Sequence, residues 1–153
     1  MRRMFKGLAP ALFVAVGALA CAPSHARADF SACAAAFDAK DDQRKIELYS
    51  LCLKHGGLMS SDVAGALNNR GIAYEQTGDI DKALQDFILA TKYDPNWPDF
   101  RFNRARAEAR KGQCAEAVAD TNMALKMAPH RKQILDFKDW LATGCPVLAK
   151  PSN

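Results

Sequence analysis

Apolar and small residues recur at helical spacing along most of the chain, and turn-forming residues interrupt the pattern. The interruptions fall at Lys40–Asp42, Gly56–Gly57, Gly78–Asp79, Pro95 and Pro129. The stretches between them predict seven helices: one in 30–39, one in 43–55, two in 64–97, two in 98–131 and one in 132–142. The pattern therefore predicts an all-α protein.

The two middle segments repeat each other. A shift of 34 residues aligns 64–97 with 98–131 and gives nine identical positions, where average composition would give roughly two. The identical pairs are Asn69/Asn103, Arg70/Arg104, Ala73/Ala107, Gly78/Gly112, Ala83/Ala117, Asp86/Asp120, Ala90/Ala124, Lys92/Lys126 and Pro95/Pro129. A period of this length is typical of a helix–turn–helix unit that stacks on its neighbours.

The residue types in the first unit suit two antiparallel helices that pack closely. Gly71 and Ala83 are small where the helices approach, and Tyr74 and Phe87 fill the space beside them. Glycine and aspartate at Gly78–Asp79 supply a helix stop and a cap for the next helix. The unit is therefore predicted to be a compact helical hairpin.

The second unit is a degenerate copy, in which Glu108 and Thr121 stand where the first unit has aromatic rings. Gly, Ala and Pro nevertheless recur in phase across both units, and this pattern resembles the tetratricopeptide-repeat (TPR) family. The resemblance implies a right-handed solenoid of helix–turn–helix repeats. It also implies that the protein binds other proteins or peptides and is not an enzyme.

The remaining segments fit the ends of such an array. Residues 29–63 are interpreted as a degenerate N-terminal hairpin, 132–145 as a capping helix and 146–153 as a tail. A terminal unit needs one face that covers the last repeat and one polar face. The covering residues in the capping helix are predicted to be Ile134, Leu135, Phe137 and Leu141.

The TPR resemblance places a ligand groove along the first helix of each unit. The groove-facing side chains that it implies are Asn68, Asn69, Ile72, Glu75, Phe102, Asn103, Arg106 and Arg110. Asn69 and Asn103 match the asparagine that holds a ligand's backbone or terminal carboxylate in peptide-binding TPRs, because an amide offers a donor and an acceptor. The two-carboxylate clamp of chaperone-binding TPRs is absent, since Asn68 and Ile72 replace its lysine and its other asparagine.

Two arginines leave two interpretations open. Arg106 and Arg110 lie one turn apart on one helix face, where they can attract an acidic segment or a free C-terminus. Alternatively, both are solvated surface side chains.

Four further charges recur in phase with the repeat. Arg70 and Arg104 occupy a position that is usually leucine in the family, and Asp86 and Asp120 lie on the second helices. Opposite charges that recur together favour structural ion pairs, within a unit or between neighbouring units, over a role in ligand binding.

The amino end has the features of an export signal. Arg2, Arg3 and Lys6 precede an apolar run over 8–22, and an Ala-x-Ala site ends at Ala28. The run is shorter than the roughly 20 residues that span a bilayer. Cleavage after Ala28 removes four of the 21 basic residues and no acidic one, so the formal net charge falls from +4 to zero. The mature chain then lacks the positive surplus that sequence-independent nucleic-acid binding requires.

Two alternatives for export stay open. Cys21 follows Ala18–Ala20, which resembles a lipoprotein cleavage box, and Arg2-Arg3 resembles a twin-arginine signal. Ordinary cleavage predicts a periplasmic or secreted binding module. Lipidation at Cys21 would instead favour a membrane-anchored component of envelope assembly that acts through its outer helix faces or the ends of the array.

Four cysteines remain after cleavage, and an even number in a short exported chain indicates disulfides. Residues equally far from the turn of an antiparallel hairpin lie opposite each other. Cys33 and Cys52 are centred on the turn of the N-terminal hairpin, and Cys114 and Cys145 on the turn before the capping helix. The repeat pattern therefore predicts the bonds Cys33–Cys52 and Cys114–Cys145, and the alternative is four buried, reduced thiols.

Motifs for catalysis or metal binding are missing from the mature sequence. It contains no Cys-x-x-Cys, no Gly-rich phosphate loop and no nucleophile elbow. His55 and His130 stand alone at helix ends, without a second ligand at metal-binding spacing. The sequence therefore predicts a non-enzymatic module that binds a protein or peptide and needs no cofactor.

Overall fold

The computed structural model describes residues 24–55 and 57–145. Within these ranges the chain forms seven α-helices and no β-strand. The helices are α1 (Ser24–Asp38), α2 (Asp42–His55), α3 (Ser60–Gln76), α4 (Ile80–Tyr93), α5 (Pro98–Arg110), α6 (Cys114–Met127) and α7 (Lys132–Gly144). The predicted all-α architecture of helical hairpins is confirmed.

The amino end differs from the prediction. Helix α1 begins at Ser24, ahead of the predicted start at Phe30, so it runs through the expected cleavage position after Ala28. The rest of the export signal, with the lipidation alternative at Cys21, lies outside the described residues, as does the tail 146–153. Among the described residues, no helix has both the length and the apolar character that crossing a membrane requires.

The helices pack in chain order, as the hairpins α1–α2, α3–α4 and α5–α6 with α7 against α6. Helix α3 also contacts α5, so the first helices of these two hairpins lie side by side. Each of the two repeat turns depends on one glycine, Gly78 with a φ of 87° and Gly112 with a φ of 76°, because other residues are strained there. After the first turn, the carboxylate of Asp79 caps α4 by accepting from the backbone N–H of Lys82.

Alanine dominates the core, because small side chains let neighbouring helices approach closely. The buried alanines are Ala36, Ala64, Ala66, Ala73, Ala83, Ala90, Ala105, Ala107, Ala109, Ala117 and Ala124. The largest fully buried side chains are Phe87, Ile134, Leu141, Thr121 and Cys52. Because the core has few large apolar side chains, the loss or gain of one methyl group at any of them is expected to change the stability of the fold.

One aromatic ring in the first repeat occupies space that a glycine leaves free. A Cβ atom on Gly71 would lie 2.7 Å from Cε1 of Phe87, well inside van der Waals contact. The equivalent residues of the second repeat are Ala105 and Thr121, both fully buried. The larger residue of one helix is therefore matched by a smaller residue on the other in both repeats.

Each of these two hairpins is joined by a two-pronged ion pair. Nε and Nη2 of Arg70 each donate to a carboxylate oxygen of Asp86 at 2.8 Å. Arg104 pairs with Asp120 in the same way, with 2.6 Å between Nη2 and Oδ1. The predicted structural ion pairs are confirmed, and each lies within one unit.

The same arginines also contact the preceding hairpin. Nη1 of Arg70 donates to Oγ of Ser50 on α2 at 3.1 Å. Nη1 of Arg104 donates to Oγ1 of Thr91 on α4 at 2.9 Å. Each guanidinium therefore joins three helices, and because loss of one partner of a buried pair costs about 3–5 kcal/mol, these contacts help to hold one repeat on the next.

Glu108 takes the place of the aromatic residue Tyr74 in the second repeat. Its Oε1 lies 3.6 Å from Nε of Arg104, and its buried Oε2 has no hydrogen-bond partner among the described residues. Burial, and after it the charge of Asp120, raises the pKa of Glu108 to about 7. An acid that is partly protonated near neutral pH thus fills an aromatic position.

Both predicted disulfides are present. Cys33–Cys52 joins α1 to α2 with the Cα atoms 5.2 Å apart, and Cys114–Cys145 joins the start of α6 to the end of α7 with the Cα atoms 6.0 Å apart. By loop-closure entropy each bond contributes about 3–4 kcal/mol to the free energy of unfolding. The first and the last helix are therefore both tied covalently to the array.

The capping helix α7 covers the last hairpin with Ile134 and Leu141, which are fully buried, and with Phe137, which is partly buried. The prediction that Leu135 also covers the hairpin is wrong, because this side chain is 40% exposed. Leu135 follows Ile134 directly, and one residue turns an α-helix by about 100°.

Gly71→Ala is expected to lower the free energy of unfolding by about 1–3 kcal/mol, because the new methyl group overlaps the ring of Phe87. Gly65→Ala on the same helix is the matched control, since a Cβ there meets no atom within 4 Å. It is expected to stabilise the protein by up to about 1 kcal/mol through helix propensity alone. Urea denaturation of both variants measures the difference, and equal effects would contradict the packing argument.

Glu108→Gln is expected to change the pH dependence of stability. Because the pKa of Glu108 is raised to about 7, the folded state binds more protons than the unfolded state between its ordinary value and 7, and stability falls as the pH rises through that window. The variant cannot ionise there, so it should exceed the parent by about 1–3 kcal/mol above pH 7.5 and by little at pH 4.5. Denaturation curves across this range provide the test, with the exposed Asp139→Asn as control. A difference that does not vary with pH would refute the assignment.

Candidate functional site

The predicted groove residues lie on α3 and α5, where a buried amide pair joins the two helices. Nδ2 of Asn103 donates to Oδ1 of Asn68 at 2.8 Å. Both residues are buried, although they were expected to face a groove. Their first role is therefore to hold α5 beside α3, because a buried amide left without a partner is costly.

The amide pair continues into a chain of hydrogen bonds. Nδ2 of Asn68 donates to Oδ1 of Asn69 at 3.3 Å, and Nδ2 of Asn69 donates to the hydroxyl of Tyr49 on α2 at 3.2 Å. Burial raises the pKa of Tyr49, so its hydroxyl stays protonated. We call Asn103, Asn68, Asn69 and Tyr49 the amide chain. An amide nitrogen carries two N–H groups, so each asparagine keeps one for a further acceptor.

The amide chain leads into a charged cluster. Nη1 of Arg106 lies 3.5 Å from Oδ1 of Asn103, and its Nη2 donates to Oε1 of Glu75 at 3.1 Å. Nη1 of Arg110 donates to the same Oε1 at 3.2 Å. Glu75 was expected on the groove surface, but it is buried beneath the two arginines, and its Oε2 has no partner among the described residues.

This arrangement differs from the interpretation of the two arginines as solvated surface side chains. Arg106 and Arg110 are not simply solvated, because both bind Glu75. Because both arginines donate to Glu75, only some of their N–H groups remain for a ligand. Two positive charges share one carboxylate, so one positive charge remains unbalanced within this cluster, and both guanidinium groups are partly exposed.

A cleft separates α1 from α3 above Tyr49. It holds two adjoining cavities of about 180 and 210 Å³, and Phe37, Tyr49 and Asn69 line both of them. Phe37 is 77% exposed and forms the outer wall. Ile72, a predicted groove residue, lines the first of these cavities.

A third cavity, of about 360 Å³, lies on the other side of α3. Its lining residues are Ser61, Gly65, Asn68, Asn69, Asp94, Trp97 and Phe100. Trp97 is 53% exposed, and its ring lies 6.1 Å from that of Phe100 between centroids. Asn69 borders all three cavities, so its amide lies where they meet.

Gly65 separates the cleft from the third cavity and lines both. Glycine inside a helix costs about 1 kcal/mol relative to alanine. A Cβ at this position would meet nothing within 4 Å, so internal packing does not require the glycine. Its absent side chain instead leaves open space on α3 between the cleft and the third cavity. We call the three cavities, this open space and the exposed faces of Arg106 and Arg110 the groove.

Phe102 is the one predicted groove residue that belongs to neither the hydrogen-bonded network nor the cavities. Its ring contacts Phe137 on α7 edge-to-face, with 5.5 Å between centroids, and the guanidinium of Arg106 lies 5.9 Å from its centre.

Among the described residues, no three His, Cys, Asp or Glu side chains are grouped so that they could hold a metal ion.

Several groove residues escaped the sequence reasoning. Tyr49 lies in the N-terminal hairpin, which does not follow the 34-residue period, and Trp97 lies in a loop before α5. Gly65 could have been identified from the sequence, because a glycine inside a predicted helix usually has a packing or functional role.

Comparison with known proteins agrees with this geometry. A sequence model of the tetratricopeptide repeat matches residues 64–97. A search of curated proteins finds no significant match to the chain.

Solved structures resemble the fold over most of its length. The TPR domain of Arabidopsis OM64 has a TM-score of 0.68 at 22% identity, with 77% of this chain and 97% of that chain covered. The second TPR domain of human RPAP3, in complex with an HSP70 peptide, has a TM-score of 0.65 at 22% identity, covering 77% and 95%. The Yersinia enterocolitica type III secretion chaperone SycD, in complex with a peptide of the translocator YopD, has a TM-score of 0.58 at 17% identity, covering 74% and 86%.

The repeat model matches the hairpin α3–α4, and the surrounding helices share the fold of complete TPR domains. These matches agree with the 34-residue period, the turn glycines and the small residues between the paired helices. The hairpin α3–α4 is therefore a tetratricopeptide repeat, and the described helices have the fold of TPR domains.

Proposed function

We propose that this protein is a non-enzymatic module that binds an extended peptide segment of a partner protein in the groove. The observation that carries the proposal is the position of Asn69, whose amide borders all three cavities and belongs to the amide chain. An extended backbone presents N–H and C=O groups that need both acceptors and donors, and side-chain amides supply both. The cavities on either side of α3 offer space for apolar side chains of the segment.

The similar structures support a peptide as the ligand. The RPAP3 domain is in complex with an HSP70 peptide, and SycD is in complex with a YopD peptide. The unbalanced positive charge of Arg106 and Arg110 supports a segment that carries an acidic side chain or a free carboxylate. The zero net charge expected after cleavage does not favour nucleic acid as a partner.

The proposed location is the periplasm or the extracellular space. The features of an export signal before Ala28 support it, and so does the pairing of all four cysteines that follow, because disulfides persist in oxidising compartments. Lipidation at Cys21 is the alternative, and the protein would then act on a membrane surface.

A second candidate function is envelope assembly through the outer helix faces. Large apolar side chains on the second helices are exposed, among them Ile88, Leu89 and Tyr93 on α4. Neighbouring exposed apolar residues of this kind are common at protein–protein contacts. This function would not need the groove, so the two candidates predict different mutational effects.

Gly65→Leu is expected to fill the open space on α3 between the cavities and to weaken peptide binding about tenfold or more. Peptides selected by the parent protein from a phage-displayed library of random dodecapeptides serve as probes, and isothermal titration calorimetry measures their affinity. Leu89→Ser is the control on the outer face, and melting curves verify the fold of both variants. Failure to select any peptide, or equal binding by Gly65→Leu, would exclude groove binding. Loss of binding in Leu89→Ser alone would support the second candidate.

Intact mass spectrometry of the protein, purified from the cells that make it, tests the proposed location. The expected mass is that of residues 29–153 less four hydrogen atoms, and reduction should restore those four. A lipid-modified Cys21 would move the protein to the membrane surface. An uncleaved, fully reduced chain would contradict export.

A further inference from the structure

Three aromatic rings lead from the groove onto the capping helix. Phe102 on α5 contacts Phe137 on α7 edge-to-face, and Phe137 stacks on Trp140 with 5.5 Å between centroids and 16° between planes. Trp140 is 47% exposed. We call Phe102, Phe137 and Trp140 the aromatic platform.

Phe137 stacks on the exposed indole. The absent side chain of Gly144 leaves room for the other end of the ring, because a Cβ atom there would be 3.0 Å from Nε1 and 3.2 Å from Cε2. An indole fixed in this way loses little conformational entropy when a ligand packs on its open surface.

Covering the last hairpin does not require Trp140. Ile134 and Leu141 are fully buried and perform that task, and the bond Cys114–Cys145 fastens the end of α7. A large apolar ring that is half exposed and contributes little to the core therefore calls for another explanation.

The repeat period places the aromatic platform on the groove side of α7. Phe137 and Trp140 follow Asn103 and Arg106 by 34 residues, so they hold the same positions on α7 that the amide and the guanidinium hold on α5. Contact between Phe102 and Phe137, and the guanidinium of Arg106 beside Phe102, make the surface continuous.

The net charge beside the aromatic platform indicates which chemical groups of a ligand the surface can bind. Arg106 and Arg110 share the single carboxylate of Glu75, so the cluster beside the aromatic platform keeps one positive charge in excess. That charge complements one acidic group, while the open indole surface suits a ring that can stack on it.

We infer that the aromatic platform extends the groove with a subsite for an aromatic or proline side chain that neighbours an acidic residue in the bound segment. The inference rests on the proposed function and deepens it, since it assigns the chemistry of the partner at the α5–α7 end. Trp140 supplies the stacking surface, and Arg106 and Arg110 bind the acidic group.

The chain contains two tryptophans, one beside the groove and one on the aromatic platform. Trp97 lines the third cavity, and Trp140 belongs to the platform. The fluorescence of Trp97→Phe therefore reports on Trp140 alone, and that of Trp140→Phe reports on Trp97 alone. Selected peptides without tryptophan are titrated into both variants.

The expected result is that selected peptides share an aromatic or proline residue next to an acidic one and change the emission of Trp140. Trp140→Ala should then weaken binding about fivefold or more, and replacing the acidic residue by its amide should have a similar effect. Leu135→Ala, which removes an exposed apolar side chain from the same helix, should leave the affinity unchanged. Gly144→Ala tests the held position of the indole, and it should weaken binding while Trp140 is still present.

Other outcomes separate this inference from the proposed function. If Gly65→Leu abolishes binding but Trp140→Ala does not alter it, the groove binds peptides and the subsite is refuted. The subsite is also refuted if the selected peptides lack the paired residues. If no peptide is selected, or if binding withstands both substitutions, the proposed function fails together with the inference.

Discussion

The close approach of paired helices is the constraint on which the rest of this structure depends. Alanine supplies half of the buried apolar residues, and the ring of Phe87 packs against Gly71 within the first repeat. Helices that approach so closely leave little room for large apolar side chains, so hydrophobic burial per repeat is small. The array needs other sources of stability, and these also shape the groove.

Polar contacts supply part of that stability. The guanidinium groups of Arg70 and Arg104 each join three helices, and the amide pair between Asn68 and Asn103 joins two. Glu108 in the second repeat is an exception, because burial raises its pKa to about 7 and its ionisation lowers stability. The same network that holds α3 and α5 together also presents donors and acceptors to the groove. Structural roles and the proposed binding role are therefore combined in the same side chains.

The turn-forming residues, the 34-residue period and the sizes of the recurring residues were sufficient to predict seven helices, both disulfides and the two ion pairs, because these depend on positions along paired helices. The start of α1 at Ser24 was not predicted. The candidate site was less predictable. Glu75 was assigned to the groove surface by its position in the repeat, yet it lies beneath Arg106 and Arg110. The length of a side chain and the partners within its reach decide whether it faces the groove or is buried. The position of a residue within the repeat gives no information about either. Tyr49 was missed because its partner, Asn69, is reached only through tertiary packing.

The two disulfides have a consequence for how the array comes apart. In a solenoid each repeat contacts only its neighbours, so thermal fraying normally starts at the termini, where a unit has one neighbour instead of two. Here Cys33–Cys52 closes the first hairpin, and Cys114–Cys145 binds the last helix to the hairpin before it. Neither end can peel away one helix at a time. Unfolding must then begin inside the array, where one hairpin meets the next. The helices on the two sides of the groove therefore separate as whole units, which stay connected through the repeat between them.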